Sequence, residues 1–258
     1  MTAAAAPQVP AMPLSRAVAA YFSDARYESL RLLRTPAFSM PILAMPILFY
    51  SFFGIVLAGR SNVAQMANFL FVGWTVYGVM GPGLFGFGIL VAVERNQGLL
   101  TFKRALPMPT GSYLASKLMM ALVFAVVVMA LLVTVGVTIG HVTLPALTLL
   151  KVASTMALGV IPACAVGLFI GSYAPASSAA AFANITYLGM AFLSGLFFPL
   201  SGTMARLKPI WPTYHLSQLA RAAGGMTSEG SPLVHLAVLA AISIALTALA
   251  ARRLARRG

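Results

Sequence analysis

Apolar residues make up 60% of this 258-residue chain, charged residues 8%, and the mean hydropathy is +0.92. A soluble domain carries about 25% charged residues, so 17 basic and 4 acidic side chains are too few to solvate a globular surface, and the chain reads as a polytopic membrane protein. The net charge of +13 does not indicate nucleic acid, because the basic residues lie between long apolar runs rather than on a folded basic face.

Residues 1–13 lack the charged and apolar regions of a signal peptide and read as a disordered tail. In residues 14–35, Leu14, Val18, Tyr21, Phe22, Ala25, Leu32 and Leu33 recur at helical spacing, with Arg16, Glu28, Arg31 and Arg34 between them. That pattern predicts an amphipathic helix lying at the membrane interface, its arginines near lipid phosphates. A helix crosses the hydrocarbon core in about 20 mostly apolar residues. The 25 uncharged residues between Arg34 and Arg60 supply a first crossing, and the 33 between Arg60 and Glu94 a second, over residues 66–93. A third begins at Leu118 and ends near Ile139, before Gly140, His141 and Pro145. Residues 152–205 form an uncharged block of 54, too long for one span, and Pro175 with its small polar neighbours divides it. The fourth crossing then ends near Gly171, the fifth covers residues 179–200, and the residues before Arg252 make a sixth.

The expected domain thus occupies residues 36–251, with a basic tail at 252–258. Lysines and arginines set the orientation. Twelve of them (Arg16, Arg26, Arg31, Arg34, Arg95, Lys103, Arg104, Lys117, Arg252, Arg253, Arg256 and Arg257) fall on the side of both termini and five on the other, which predicts cytoplasmic termini. Residues 201–231 are then external. Their Trp211 and Tyr214 prefer the headgroup level, so the segment either folds back into the interface as one or two short helices or forms a solvated loop. Glycines at 81, 83, 86 and 88, and in Gly136-x-x-x-Gly140 and Gly167-x-x-x-Gly171, allow close helix approach. Pro41, Pro46, Pro82 and Pro162 should kink their spans.

No catalytic set is present: there is no HExxH, no GxSxG and no pair of intramembrane carboxylates. No zinc-ligand spacing occurs, and the single cysteine, Cys164, reads as a small buried hydrophobe. The stretch from Gly111 to Lys117 lacks the second glycine and the hydroxyl residue of a phosphate-binding loop. The informative segment is the second cytoplasmic loop, residues 94–117. Glu94 and Arg95 form an acid–base pair at the membrane exit, with Glu94 expected to hold Arg95 and the loop's direction. Gly98 redirects the chain. A short amphipathic helix follows, carrying Leu99, Leu100, Thr101, Phe102, Lys103, Arg104 and Leu106 and ended by Pro107 and Pro109. It suits docking to another protein, the alternative being a basic loop that only obeys the charge rule.

The pattern Glu94-Arg95-x-x-Gly98-x-Leu100…Leu106-Pro107-Met108-Pro109…Leu114-x-x-Lys117 resembles the coupling loop of the ABC-2 family of ABC-exporter membrane subunits. The run from Phe192 to Ser201, with Trp211-Pro212 and Tyr214 after it, is similar to that family's fifth-span signature. This resemblance implies an all-α membrane domain of six transmembrane helices preceded by an interfacial helix, in the bacterial cytoplasmic (inner) membrane. It implies no catalysis or metal in this chain; ATP and Mg would be bound by a partner ABC ATPase that contacts the loop. A second permease copy or a paralogue would complete the path. The few polar residues within spans, Asn68, Thr75, Tyr77, Asn184, Thr186 and Tyr187, are candidates to line it. So apolar a path favours export of a hydrophobic or amphiphilic cargo (a drug, as in multidrug efflux, a lipid or a lipid-linked product) over a polysaccharide or an ion. A non-transporting scaffold or passive channel is the alternative from another class.

Overall fold

The computed structural model describes residues 13–57, 64–105, 111–198 and 200–257, and the regular secondary structure of these residues is helical. In chain order the helices are α1 (Leu14–Leu33), α2 (Pro36–Phe49, widening to a π-helix over Tyr50–Leu57), α3 (Ala64–Asn96), α4 (Leu99–Ala105) and α5 (Ser112–Thr138). They continue with α6 (Ala146–Tyr173), α7 (Ala179–Leu193), α8 (Gly202–Leu207), α9 (Pro212–Ala223) and α10 (Pro232–Arg257). The expected N-terminal tail up to residue 12, together with Leu106, Pro107 and the side chains of Lys103 and Arg104, lies outside the described residues.

Among the described residues, five helices are long and apolar enough to cross a membrane: Pro36–Val56, Met66–Asn96, Ser112–Thr138, Ala146–Tyr173 and Pro232–Arg256. They coincide with the first, second, third, fourth and sixth expected spans. The central one is α3, apolar on every side: 78% of its most apolar window is buried, against 22% for the corresponding windows of α2 and α10. It packs most extensively against α6, and glycine makes the approach possible. A Cβ at Gly167 would lie 2.6 Å from the Leu84 carbonyl oxygen and 2.7 Å from that of Gly83, and one at Gly171 would run into the carbonyls of Phe87 and Gly88. Pro82 and Pro162 sit inside these two helices, Pro41 and Pro46 inside α2.

The fifth span departs from expectation. It stops at Leu193 rather than near Leu200, leaving 15 residues, roughly 22 Å at 1.5 Å per residue and short of the ~30 Å hydrocarbon core. The reason is tertiary. Gly195 takes a left-handed φ of 72°, the Leu196 carbonyl presses onto Gly73 of α3, and Phe197 stacks on Trp74 with centroids 4.0 Å apart. The chain therefore turns inward. Residues 201–231 do form two short helices, but they differ: α8 buries no residue, whereas α9 buries eight and sits among α3, α6, α7 and α10. The Thr213 hydroxyl donates to the Met190 carbonyl at 2.7 Å, fastening α9 to the end of α7.

At the other end of the bundle α1 lies against α5 and α2. Ala25, Ser29 and Leu32 form its buried stripe, while Phe22, Tyr27 and the arginines at 16, 26, 31 and 34 are exposed.

Candidate functional site

The loop between α3 and α5 is fastened at both ends by charge. Gly98, with φ of 73° and nothing within 4 Å of its missing Cβ, redirects the chain after α3. The short α4 then turns Leu100 inward, at 8% exposure, and leaves Thr101, Leu99 (38% exposed) and Phe102 (63%) on its outer side. At its far end Gly111, φ 88°, starts α5.

Glu94 and Arg95 do not pair. Successive residues on a helix point about 100° apart, and the two reach different neighbours. Arg95 donates to the carbonyls of Ser172 and Ala174, the latter at 2.7 Å, satisfying the C-terminal end of α6 where a cation is favoured. Glu94 turns to α5 and α1. Its carboxylate accepts from the Tyr113 hydroxyl at 2.6 Å, from Lys117 Nζ at 3.1 Å and from Arg31 at 3.4 Å. Lys117, 1% exposed, also donates to Glu28 at 2.8 Å, and Arg31 reaches Glu28 at 2.9 Å. Among the described residues, two cations and two carboxylates thus form a quartet that ties both ends of the loop to each other and to α1. Lys117 and the two carboxylates are the enclosed members, so loss of any one of these three leaves partners charged and desolvated. The sequence pattern contains Glu94 and Lys117 but not Glu28, Arg31 and Tyr113. The one visible signal is Glu28-x-x-Arg31, an i,i+3 pair on a helix otherwise rich in arginine.

The six intramembrane polar residues do not converge. Tyr77 and Tyr187 meet, stacked at 4.2 Å, and the Tyr187 hydroxyl donates to the Tyr77 carbonyl at 2.7 Å. Phe49, Trp74 and Phe197 extend this into an aromatic cluster. Thr75 is fully buried and donates to its own helix, at the Phe71 carbonyl. Asn68 bonds Thr143, joining α3 to the α5–α6 turn, with both contacts at 3.3 Å. Asn184 and half-buried Thr186 lie on α7 beside exposed Ile185, and the Asn184 amide donates to the Ala180 carbonyl. A cavity of about 380 Å³ among α3, α5 and α6 is lined by apolar side chains including Val79, Leu122, Met129, Val133 and Met156. Cys164 is buried in α6, its sulfur 3.1 Å from where a Cβ on Gly83 would lie.

A second polar cluster, absent from the sequence reading, joins α9 to α10. Glu229 accepts from Lys208 at 2.9 Å and from the Tyr214 hydroxyl at 2.9 Å, and its backbone N–H donates to Gln218. The Lys208 ammonium holds the Glu229 carboxyl below the usual range, and burial, reinforced by the Glu229 charge, pushes the Tyr214 hydroxyl up to about 12. His215 and His235 face each other within the same cluster. Among the described residues no group of three or more histidine, cysteine or acidic side chains is arranged to hold a metal ion.

A bundle of long apolar helices with a charge-anchored loop has the architecture of a polytopic membrane domain. The sequence profile of the family described as "ABC-2 type transporter" matches residues 20–228, and the chain belongs to that family. It is a membrane permease subunit of an ABC transporter, a non-enzymatic component of a kind that partners an ABC ATPase. The chain is 30% identical over 212 residues to the Bacillus subtilis (strain 168) protein named "Putative transport permease YvfS", an alignment covering 80% of this chain and 84% of the relative.

Proposed function

We propose that this chain is the permease of an ATP-driven exporter that moves a hydrophobic or amphiphilic substrate out of the cytoplasm. A separate ATPase chain, binding ATP and Mg, docks on residues 94–117. The observation that carries the docking assignment is α4. It displays Leu99 and Phe102 to solvent on a helix of seven residues, while the Glu94–Lys117 ion pair joins the two long helices on either side of it. A short helix with an exposed aromatic anchor is what a protein partner can grip. Force delivered there reaches α1, α3 and α5 together through the quartet.

The wholly apolar lining of the cavity among α3, α5 and α6 supports the substrate class, and a second copy or a paralogue completes the path. The chain lies in a bacterial cytoplasmic membrane with both termini inside and residues 201–231 outside, the orientation that lysines and arginines favour. Cysteine labelling checks it. With Cys164 replaced, a cysteine at exposed Thr203 should react with an impermeant reagent from outside and one at Arg256 should not; the reverse pattern would refute the orientation.

The docking assignment has its own test. Truncating an interface anchor costs about 2 kcal/mol or more, so Phe102→Ala should weaken capture of the co-expressed ATPase roughly thirtyfold and lower export with it. Membrane abundance of the variant is the control. Wild-type capture and export by Phe102→Ala at normal abundance would reduce the loop to a topological signal.

A further inference from the structure

His215 on α9 and His235 in the opening turns of α10 are both about 5% exposed or less, and their Nδ1 atoms lie 2.8 Å apart. Each ring is held from its other side. Nε2 of His215 is 2.8 Å from the Pro209 carbonyl oxygen, and Nε2 of His235 is 2.6 Å from that of Glu229. A carbonyl oxygen only accepts, so each Nε2 carries a hydrogen. A neutral imidazole has just one N–H, and in a neutral pair two Nδ1 lone pairs would confront each other at 2.8 Å. One added proton converts that repulsion into an N–H···N bond. A zinc ion does not fit the spacing: two nitrogens at ~2.0–2.1 Å from a tetrahedral zinc stand about 3.3 Å apart.

We propose that His215 and His235 form a one-proton site that latches α9 to the head of α10, closed while the pair shares a single proton and opened when it loses that proton or takes up a second.

Tyr214 sets its ring across both imidazoles, with centroids 5.2 and 5.7 Å away, and donates a hydrogen bond from its hydroxyl to Glu229. Glu229, in the α9–α10 connection, is paired with Lys208 from the turn before α9 and lies in the field of Arg221 on α9 itself, so the described charges nearby are one carboxylate and two cations. From α6 the local contact is Gly159 against Leu216, which brings no charge. Burial holds His215 below the ordinary histidine range and opposes any charge on the pair, and the charge of the neighbouring ring adds to the resistance against a second proton. Rising pH removes the shared proton and restores the clash of lone pairs; falling pH forces two imidazoliums together. The latch therefore contributes most between the two steps and less on either side. That it reads the pH outside the cell rests on the orientation proposed above; the shared proton does not.

The chain has three histidines, so ¹⁵N-histidine labelling of purified His141→Gln protein in detergent leaves only the pair. The expected result is two titration steps separated by more than the roughly one pH unit that marks coupled sites. Between the steps, both Nδ1 signals should lie midway between protonated and bare nitrogen. In His235→Gln, His215 should titrate in one step, and the maximum in thermal stability between the two wild-type steps should vanish. Two rings titrating together at one midpoint with no shared-proton signal would overturn the proposal, and this needs no variant of the pair to fold. A rise in melting temperature on adding zinc, lost in His235→Gln, would also overturn it, as the pair would then be a metal site.

Discussion

Lys117→Met should be among the most damaging single substitutions in the chain, destabilising the folded protein by about 3–5 kcal/mol. Methionine keeps the length of the lysine stem, so the effect isolates the ammonium. That group is 1% exposed and sits between Glu28 at 2.8 Å and Glu94 at 3.1 Å. Without it two buried carboxylates keep the Arg31 guanidinium, whose side chain is 52% exposed and 3.4 Å from Glu94. Water-screened attraction at that range is weak. The loop that starts at Glu94 and ends at Lys117 would lose its fastening to α1 along with its stability. Thermal unfolding in detergent, read by size-exclusion, measures the loss. Lys151→Met, at an exposed position, controls for loss of charge alone and should melt like wild type. Adding Glu94→Gln to Lys117→Met should restore part of the loss, because one uncompensated charge has gone. A Lys117→Met protein as stable as wild type would mean that the quartet is ornamental.

Gly167→Ala and Gly171→Ala should each destabilise the bundle by about 1–3 kcal/mol, the range for overpacking a close contact. At these positions a Cβ meets backbone rather than the flexible end of a side chain: the Leu84 and Gly83 carbonyls at Gly167, and the Phe87 and Gly88 carbonyls at Gly171. Backbone inside a helix cannot swing aside, so α3 and α6 must separate, and α3 is the helix on which most others pack. Gly189→Ala on α7 is the control. Nothing lies within 4 Å of its added Cβ, and removing glycine's chain entropy from a helix favours alanine by about 0.5–1 kcal/mol. Melting of Gly171→Ala alongside Gly189→Ala would show that the seam has slack.

Gly98, read from the sequence as the point where the chain turns, does take a left-handed backbone, because that preference belongs to the residue itself. Glu94 and Arg95 show the opposite case. Adjacent in sequence, they read as a pair, yet one completes a charge quartet and the other caps α6. Adjacency says nothing about partners that come from residues 28, 31, 113, 172 and 174. The aromatic and amide residues proposed to line a path illustrate the same limit. Their polarity is visible in the sequence, but Thr75 and Tyr187 spend their hydroxyls on α3 carbonyls, a fact of packing.

The sequence by itself determined the class of protein, the helical architecture and the places of five spans. In lipid each backbone polar group must be satisfied within its own helix, so a long apolar run carries its structure locally, and the ordered motifs around Gly98 and Phe192 carried the family. Tertiary structure alone decided the length of α7, the burial of α9, the quartet around Lys117 and the meeting of His215 with His235. Each of these depends on a group distant in sequence, as Leu196 depends on the missing side chain of Gly73, and no local pattern encodes which distant atoms will be close.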